Sequence, residues 1–197
     1  MLGFLRLLLA RHGETEWNAI RRVQGHSDIP LNERGHAQAA DLARRLESIP
    51  LDHIYTSTLR RSIETAAPLA DRAPTTQLEE LNEQAMGMFE GKELRGPDAT
   101  LAESFRTRRR DPGDTLDGGE SLEQHARRAM KAMELIRLRH TEGNVLVVAH
   151  GGTNVVLIMR LLGLSYEEAL EYRQQNADVH VIDFVGDLAV VRPLEIP

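Results

Sequence analysis

The stretch LLLARHGETEWN, residues 7–18, begins as an apolar run and changes character at Arg11, His12 and Gly13. A short apolar run bounded by turn residues is typical of a buried β-strand. A glycine placed directly after a charged pair allows the chain to turn sharply. The pattern therefore predicts that Arg11 and His12 lie at the end of a strand.

Two further segments end in the same way. Residues 145–149 form a β-branched run that stops at His150 and two glycines, before an apolar stretch of helical length. Residues 54–56 precede a polar pair and a helix that opens around Arg61. Ligands of open α/β sheets bind at the carboxyl ends of parallel strands. We therefore expect His12, Arg61 and His150 to meet at one place.

Strands and helices alternate along the rest of the chain. Helical spacing predicts helices over 33–49, 58–71, 99–110, 122–136, 153–162 and 166–172. Short apolar or alternating runs predict strands over 54–56 and 144–149, a short strand or extended segment over 75–81, and a terminal hairpin over 179–185 and 188–191. Residues 15–30 lack a clean period and are expected to be an ordered loop. This alternation predicts an α/β fold, a three-layer α/β/α sandwich with a mostly parallel central sheet.

The composition of the chain excludes several kinds of protein and site. At 197 residues the chain fits a single domain, residues 1–197. It has no cysteine, which excludes a disulfide framework, a zinc–thiolate site and a cysteine nucleophile. A net charge of −6 argues against nonspecific nucleic-acid binding. The apolar start has one basic residue, Arg6, and no cleavage site, so we expect a core strand, no membrane partner and a cytoplasmic location.

One basic run, residues 106–110, stands out in this acidic chain. The favoured interpretation is the solvated end of a helix, where cations meet the negative pole of the helix dipole. The alternative is a basic rim that attracts an anionic substrate.

Histidines and arginines at strand ends restrict the chemistry. The sequence has no HxH, HExxH or DxD cluster to complete a metal site, and an arginine next to a histidine repels a cation. A guanidinium group instead holds two phosphoryl oxygens at once. A neutral imidazole can attack phosphorus directly, and the leaving oxygen then needs a proton, which Glu83 in the loop 81–91 could supply. No cofactor and no metal is expected.

Five segments carry a family resemblance. Residues 11–18 resemble the RHG signature of the histidine phosphatase superfamily, in its phosphoglycerate-mutase-like branch. The other four follow in order: 24–32, similar to the QG..D.PLT segment; 55–66, similar to SSxLxRAxxTA; 81–91, similar to LxE...G.xEG; and 119–121 together with 147–152. The resemblance covers nearly the whole chain.

The resemblance implies roles for nine residues. It makes His12 the nucleophile and Glu83 the general acid and base. It assigns the phosphoryl group to Arg11, Arg61 and His150, and further substrate contacts to Asn18, Gln24, Gly25 and Gly151. It also implies that residues 83–120 contribute a cap over the pocket.

The expected activity is metal-independent hydrolysis of a small phosphorylated metabolite through a phosphohistidine. Mutases of the family carry a longer insertion after the acid segment and a longer tail, whereas this sequence has only the short connection 91–100 and residues 193–197. A cofactor-dependent phosphoglycerate mutase remains the main alternative, and a non-catalytic protein that binds phosphorylated ligands is the second. A homodimer is left open.

Several residues outside this set receive structural interpretations. Trp17 is expected to anchor a loop, Arg60 to face solvent and His180 to be structural. Glu120 either caps a helix or meets an arginine at the pocket. The remaining histidines are expected on the surface or in loops: His26, His36, His53, His125 and His140.

Overall fold

A computed structural model describes residues 4–94, 99–186 and 188–194. Its centre is a six-stranded sheet with the order β3-β2-β4-β1-β5-β6. The strands are β1 (Leu5–Arg11), β2 (His53–Thr56), β3 (Thr75–Gln77), β4 (Gly143–Ala149), β5 (Val179–Val185) and β6 (Leu188–Pro193). The first four strands in this order run parallel, while β5 and β6 are antiparallel to their neighbours. The predicted mostly parallel sheet is confirmed.

Helices cover both faces of the sheet. They are α1 (Glu16–Ala19), α2 (Glu33–Arg45), α3 (Arg60–Ala66), α4 (Ala99–Arg110), α5 (Leu122–Arg139), α6 (Gly151–Leu162) and α7 (Tyr166–Ala169). Alternation along the central strands sends successive side chains to opposite faces. Leu7 and Val147 pack with α5 and α6 on one face, whereas Leu8 and Val148 pack with α2 and α3 on the other. The chain thus forms the predicted three layers.

Most predicted elements are present, with two exceptions. The extended segment predicted over 75–81 is a strand only as far as Gln77, and Glu79–Leu81 form a 3-10 turn. Residues 15–30 are not all loop, because Thr15 caps the short helix α1 by accepting a hydrogen bond from the backbone of Asn18. Helix α3 gives way to a 3-10 turn over Ala67–Leu69, as the proline at position 68 predicts. The terminal hairpin forms, and Asp187 of its turn lies outside the described residues.

The register of the sheet brings the three predicted strand ends together. Strand β1 pairs with β4 so that Arg11 lies opposite Ala149. Strand β2 flanks β4 on its other side. The residues that follow these three strands therefore share one edge of the sheet, where the backbone N–H of His12 donates to the Ala149 carbonyl at 3.0 Å. No helix among the described residues is long and apolar enough to cross a membrane.

Candidate active site

The imidazole of His12 is buried directly after β1 and is held in one tautomer. Its Nδ1 lies 2.7 Å from the Gly13 carbonyl oxygen, which can only accept, so Nδ1 carries the hydrogen. Burial, together with the charges of Arg61 and Arg11, keeps the pKa of His12 well below its usual value. The ring is neutral near pH 7, and its Nε2 carries a lone pair.

Arg61 and His150 form a hydrogen-bonded pair beside this ring. The His12 and His150 ring centroids lie 5.1 Å apart. Arg61 Nε donates to His150 Nδ1 at 3.1 Å, so His150 Nε2 carries the hydrogen and donates to Ser57 Oγ at 2.8 Å. Burial lowers the pKa of the Arg61 guanidinium to about 10, which leaves it charged. The pair therefore contributes a fixed cation and a neutral imidazole.

Backbone carbonyls set the orientation of the Arg61 guanidinium. Its Nη1 and Nη2 donate to the carbonyls of Ser27 and Gly25, each at 2.8 Å. One N–H on each of these nitrogens remains available. Gly25, expected to contact substrate, thus also holds the arginine.

Arg11 has a buried donor without a protein partner. Its Nη1 donates to the Gln174 carbonyl at 2.8 Å, whereas its Nε is buried with no hydrogen-bond partner. Buried polar groups are almost always hydrogen-bonded, so such an atom indicates a ligand position. A Cβ added to Gly151 would lie 3.4 Å from this Nε, which places the first turn of α6 against it.

The two glycines that follow the histidines differ in their roles. The N–H of Gly13 donates to Thr65 Oγ1 at 2.9 Å and is not free for an anion. Gly13 is required because a Cβ there would lie 2.7 Å from the Gly35 carbonyl oxygen, and its φ is not positive. The sharp turn that the sequence suggested is instead a close approach to α2. Gly151 begins α6, whose first N–H groups have no partners within the helix.

Glu83 reaches the same edge from the loop that follows β3. Its carboxylate accepts hydrogen bonds at 2.9 Å from the backbone N–H groups of Gln84 and Gly152. Burial alone would raise the pKa of Glu83, but the Arg109 guanidinium and these N–H groups outweigh it and lower the pKa to about 2. Glu83 is a carboxylate in the free protein.

The backbone around Glu83 is fixed by Arg128 of α5. The Arg128 guanidinium donates to the carbonyls of Asn82 and Glu83 at 2.9 and 3.0 Å. Glu120 holds Arg128 with two hydrogen bonds of 2.7 Å. Of the two interpretations of Glu120, the arginine contact is therefore the one observed, although Arg128 does not line the cavity and Ser121 is the helix cap.

His125 does not lie on the surface or in a loop, so that prediction is wrong. It is fully buried on α5, with Nε2 4.0 Å from Glu83 Oε1. Thr153 Oγ1 donates to the Asn82 carbonyl and accepts from His125 Nε2 at 3.1 Å. Burial lowers the pKa of His125 to about 4, so it is neutral at pH 7. Its place in the apolar stripe with Leu122 and Ala129 was the signal in the sequence.

The arginines of the basic run on α4 have different surroundings. Arg108 pairs with Asp114 and Asp117 away from the cavity, whereas Arg106, Arg109 and Arg110 line it. A solvated helix end is therefore the wrong interpretation for Arg109. Its Nε lies 3.3 Å from Gln84 Oε1, and a Cβ on Gly152 would collide with both its Nη2 and the Glu83 carboxylate. The signal in the sequence was Phe105, which lies one helical turn before Arg109 and is buried, so that Arg109 shares its inward face of α4.

Eight of the nine predicted site residues line one cavity of about 710 Å³: Arg11, His12, Asn18, Gln24, Gly25, Arg61, Glu83 and Gly151. The ninth, His150, does not line it but lies next to the His12 ring. This size is ordinary for a small-molecule site. Asn18 Oδ1 accepts from the Thr15 backbone at 3.1 Å, and Gln24 Oε1 is buried without a partner. Trp17 also lines the cavity, under the Arg22 guanidinium. Among the described residues, no group of three metal-ligating side chains lies together.

Comparison with known proteins identifies the class. The family model of the histidine phosphatase superfamily (branch 1) matches residues 7–196. The chain belongs to this superfamily. A protein from Shigella boydii named "Probable phosphoglycerate mutase GpmB" is 34% identical over 193 residues, which cover 93% of this chain and 87% of that protein.

Solved structures of the same fold are similar over almost their full length. YhfR from Bacillus stearothermophilus is 32% identical, with a TM-score of 0.86 and 96% of each chain covered. The alpha-ribazole phosphatase from Shigella flexneri is 29% identical, with a TM-score of 0.83, covering 96% of this chain and 95% of that one. A mycobacterial glucosyl-3-phosphoglycerate phosphatase is 28% identical, with a TM-score of 0.81 and coverage of 96% and 97%. Family and neighbours together support a phosphatase activity.

Proposed function

We propose that this protein is a phosphomonoesterase that hydrolyses a small phosphorylated metabolite through a phosphohistidine on His12. The observation that carries the proposal is the His12 tautomer, because the Nδ1–H bond to the Gly13 carbonyl leaves Nε2 unprotonated in a buried site. Arg61 and Arg11 supply positive charge beside it. The alpha-ribazole and glucosyl-3-phosphoglycerate phosphatases among the similar structures support hydrolysis.

In the first step, His12 Nε2 attacks phosphorus and the bond from phosphorus to the ester oxygen breaks. The leaving oxygen takes a proton from the Glu83 carboxylic acid. Arg11 Nε, the free N–H groups of Arg61 and the N–H of Gly151 at the start of α6 surround the phosphoryl oxygens. Their fixed positive charge stabilises the transition state without a metal ion.

In the second step, water attacks phosphorus and the nitrogen–phosphorus bond breaks. The Glu83 carboxylate takes the proton from water, and His12 returns to its neutral form. Glu83 must therefore alternate between acid and base. Its pKa of about 2 keeps the free carboxylate deprotonated, and the negative charge of the arriving phosphoryl group offsets Arg109 and raises the pKa of Glu83 toward the range that proton transfer requires.

Residues 83–120 act as the cap of this site. Phe105 and Arg109 of α4 line the cavity. Phe105 also packs with Val23, Met86 and Leu116 in an apolar cluster separate from the two faces of the sheet. The cap therefore packs on Val23 of the loop after α1 through a small apolar cluster, and it faces the leaving group.

The test is an acid-quench experiment with para-nitrophenyl phosphate. The protein should release phosphate in the presence of EDTA, and a rapid quench should give a protein heavier by one phosphoryl group, with the label on His12. His12→Ala should lose both, whereas His36→Ala, an exposed histidine on α2, should retain both. Loss of activity with EDTA, or full activity in His12→Ala, would refute the proposal.

Phosphoglycerate mutase activity is the second candidate, favoured by the relative from Shigella boydii. A mutase returns its phosphoryl group to the reoriented product instead of water. Phosphorus NMR of a reaction with 3-phosphoglycerate separates the two activities. Hydrolysis gives inorganic phosphate, whereas the mutase gives 2-phosphoglycerate.

A further inference from the structure

The cavity carries more positive charge than one phosphoryl group requires. Although the whole chain has a net charge of −6, the described residues that line the cavity include eight arginines and one carboxylate, that of Glu83. A charge of one sign concentrated in a cleft attracts ligands of the opposite sign. The excess indicates that the ligand carries further negative charge.

Ion pairs account for part of this charge. Three lining arginines are paired with carboxylates outside the lining: Arg22 with Glu93 at 2.5 Å, Arg106 with Glu103 at 2.6 Å and Arg110 with Glu167 at 3.0 Å. The other five are Arg11, Arg21, Arg61, Arg109 and Arg173. A phosphate monoester carries nearly two negative charges at pH 7. Together with Glu83 it offsets about three of these five, so about two positive charges remain.

Among the five remaining arginines of the described lining, Arg21 and Arg173 are those without a side-chain partner. Both are exposed at the cavity, and within the part of the chain that the structure describes neither side chain has a hydrogen bond or an ion pair. Their segments are joined, since Asn176 Nδ2 donates to Asn18 Oδ1 at 3.3 Å. The charges that the phosphoryl group leaves unbalanced therefore lie on exposed side chains of the cavity, whereas His12 is buried.

The backbone at Arg21 is unusual for an arginine. Its φ is 56°, in the left-handed region that favours glycine. Two hydrogen bonds end helix α1 there, from Arg21 N to the Asn18 carbonyl and from Arg22 N to the Trp17 carbonyl, at 3.1 and 2.8 Å. The Arg21 carbonyl also accepts from the Leu94 N–H. The turn places a long cationic side chain at a position that would be less strained with glycine.

We propose that Arg21 and Arg173 form a second anion-binding subsite at the mouth of the cavity. The preferred substrates are phosphomonoesters whose alcohol part carries a second anionic group, a carboxylate or a further phosphate. The inference rests on the proposed function for the position of the reacting phosphoryl group. The second anion then lies on the leaving-group side, between the α1 turn and the segment that bears Arg173.

Two matched pairs of substrates test the subsite. The first pair is 3-phosphoglycerate and glycerol 3-phosphate, which differ by a carboxylate against a hydroxymethyl group. The second is fructose 1,6-bisphosphate and fructose 6-phosphate. A charge-assisted contact predicts that kcat/KM favours the member with the second anion in at least one pair by about tenfold. The pair that shows this preference identifies the second anionic group as a carboxylate or a phosphate.

Two variants locate the effect. Arg21→Gly and Arg173→Gln should each reduce the preference severalfold, and the double variant should abolish it. Arg21→Gly suits the backbone, so a lower melting temperature is not expected and a loss of preference cannot be attributed to unfolding. Arg127→Gln removes one charge from an exposed position on α5 outside the cavity and should leave the preference unchanged.

Binding measurements separate this inference from the proposed function. Calorimetry with His12→Ala compares the Kd values of the same four compounds without turnover. If the doubly anionic compounds bind more tightly and the double variant loses this preference, the subsite is supported. This conclusion holds even if the wild type hydrolyses none of the compounds, because a lack of hydrolysis would refute only the phosphatase proposal. Equal Kd values within both pairs, or a preference that survives in the double variant, would overturn the subsite.

Discussion

In the proposed mechanism, one hydrogen bond prepares His12 for attack on phosphorus. The Gly13 carbonyl fixes the hydrogen on Nδ1, and burial next to Arg61 opposes protonation of Nε2. An imidazolium would have no lone pair and could not act as a nucleophile. The arginine that keeps the imidazole neutral is thus the one that we propose binds the phosphoryl group.

This arrangement predicts the titration of His12. Because the pKa of His12 is lowered, the ring should remain neutral as the pH falls through 6.5, the value of an unperturbed histidine. Nitrogen NMR of the labelled free protein should show the Nδ1–H tautomer of His12 unchanged from above to below this pH. A midpoint at or above 6.5, or the opposite tautomer, would contradict the arrangement.

Glu83 should matter most when the leaving group is poor. In Glu83→Gln the amide has no acidic proton to give, so kcat for an alkyl phosphate should fall about a hundredfold to ten-thousandfold. The fall should be much smaller for para-nitrophenyl phosphate, whose leaving group needs little protonation. Steady-state kinetics with both substrates measure the difference. Glu134→Gln, an exposed acid on α5, is the control; equal losses for the two substrates would exclude proton donation.

Residues within motifs could be located from the sequence, and those on helix faces were harder. His12 and His150 end apolar runs, which is a local signal. His125 and Arg109 depend on helix phase and on which neighbour covers each face. His125 is buried only because α5 packs on α6 and beside Glu83. Arg109 stands among similar arginines, and only the path of the cap selects it over Arg108.

The turn that ends α1 shows how an element can retain strain. Left-handed φ costs an L-residue roughly 1–2 kcal/mol, and the greater freedom of glycine in the unfolded chain offsets roughly 0.5–1 kcal/mol of that. Arg21→Gly should therefore leave the melting temperature unchanged or raise it. Ala19→Gly, in the helical part of α1, should lower it, as measured by calorimetry of the two variants. A clear loss of stability in Arg21→Gly would show that the side chain supports the fold.

Elements with strong caps or clear periods were predictable. Asn32, Ser121 and Ser165 cap α2, α5 and α7 as their sequences indicate. Helix α1 was missed because it has only four residues and its capping box uses Asn18 where glutamate or glutamine is usual. Short polar helices carry little periodic signal, so tertiary contacts decide whether they form.

At the scale of the whole molecule, the order of the strands in the sheet determines which site residues lie close together. Because β2, β4 and β1 are neighbours, the residues that follow them meet at one edge. The sequence predicted this meeting from three similar strand ends. It did not predict the path of the segments before and after α4, since residues 83–94 and 111–120 have little regular structure and are placed by contacts distant in sequence.

The stereochemical course of hydrolysis at phosphorus is the most direct test of the central claim that His12 carries the phosphoryl group. A phosphomonoester made chiral by isotopic labelling is hydrolysed in labelled water, and the configuration of the released phosphate is determined. Attack by His12 followed by attack by water inverts phosphorus twice, so net retention is predicted. Net inversion would mean that water attacks the substrate directly and would contradict the account.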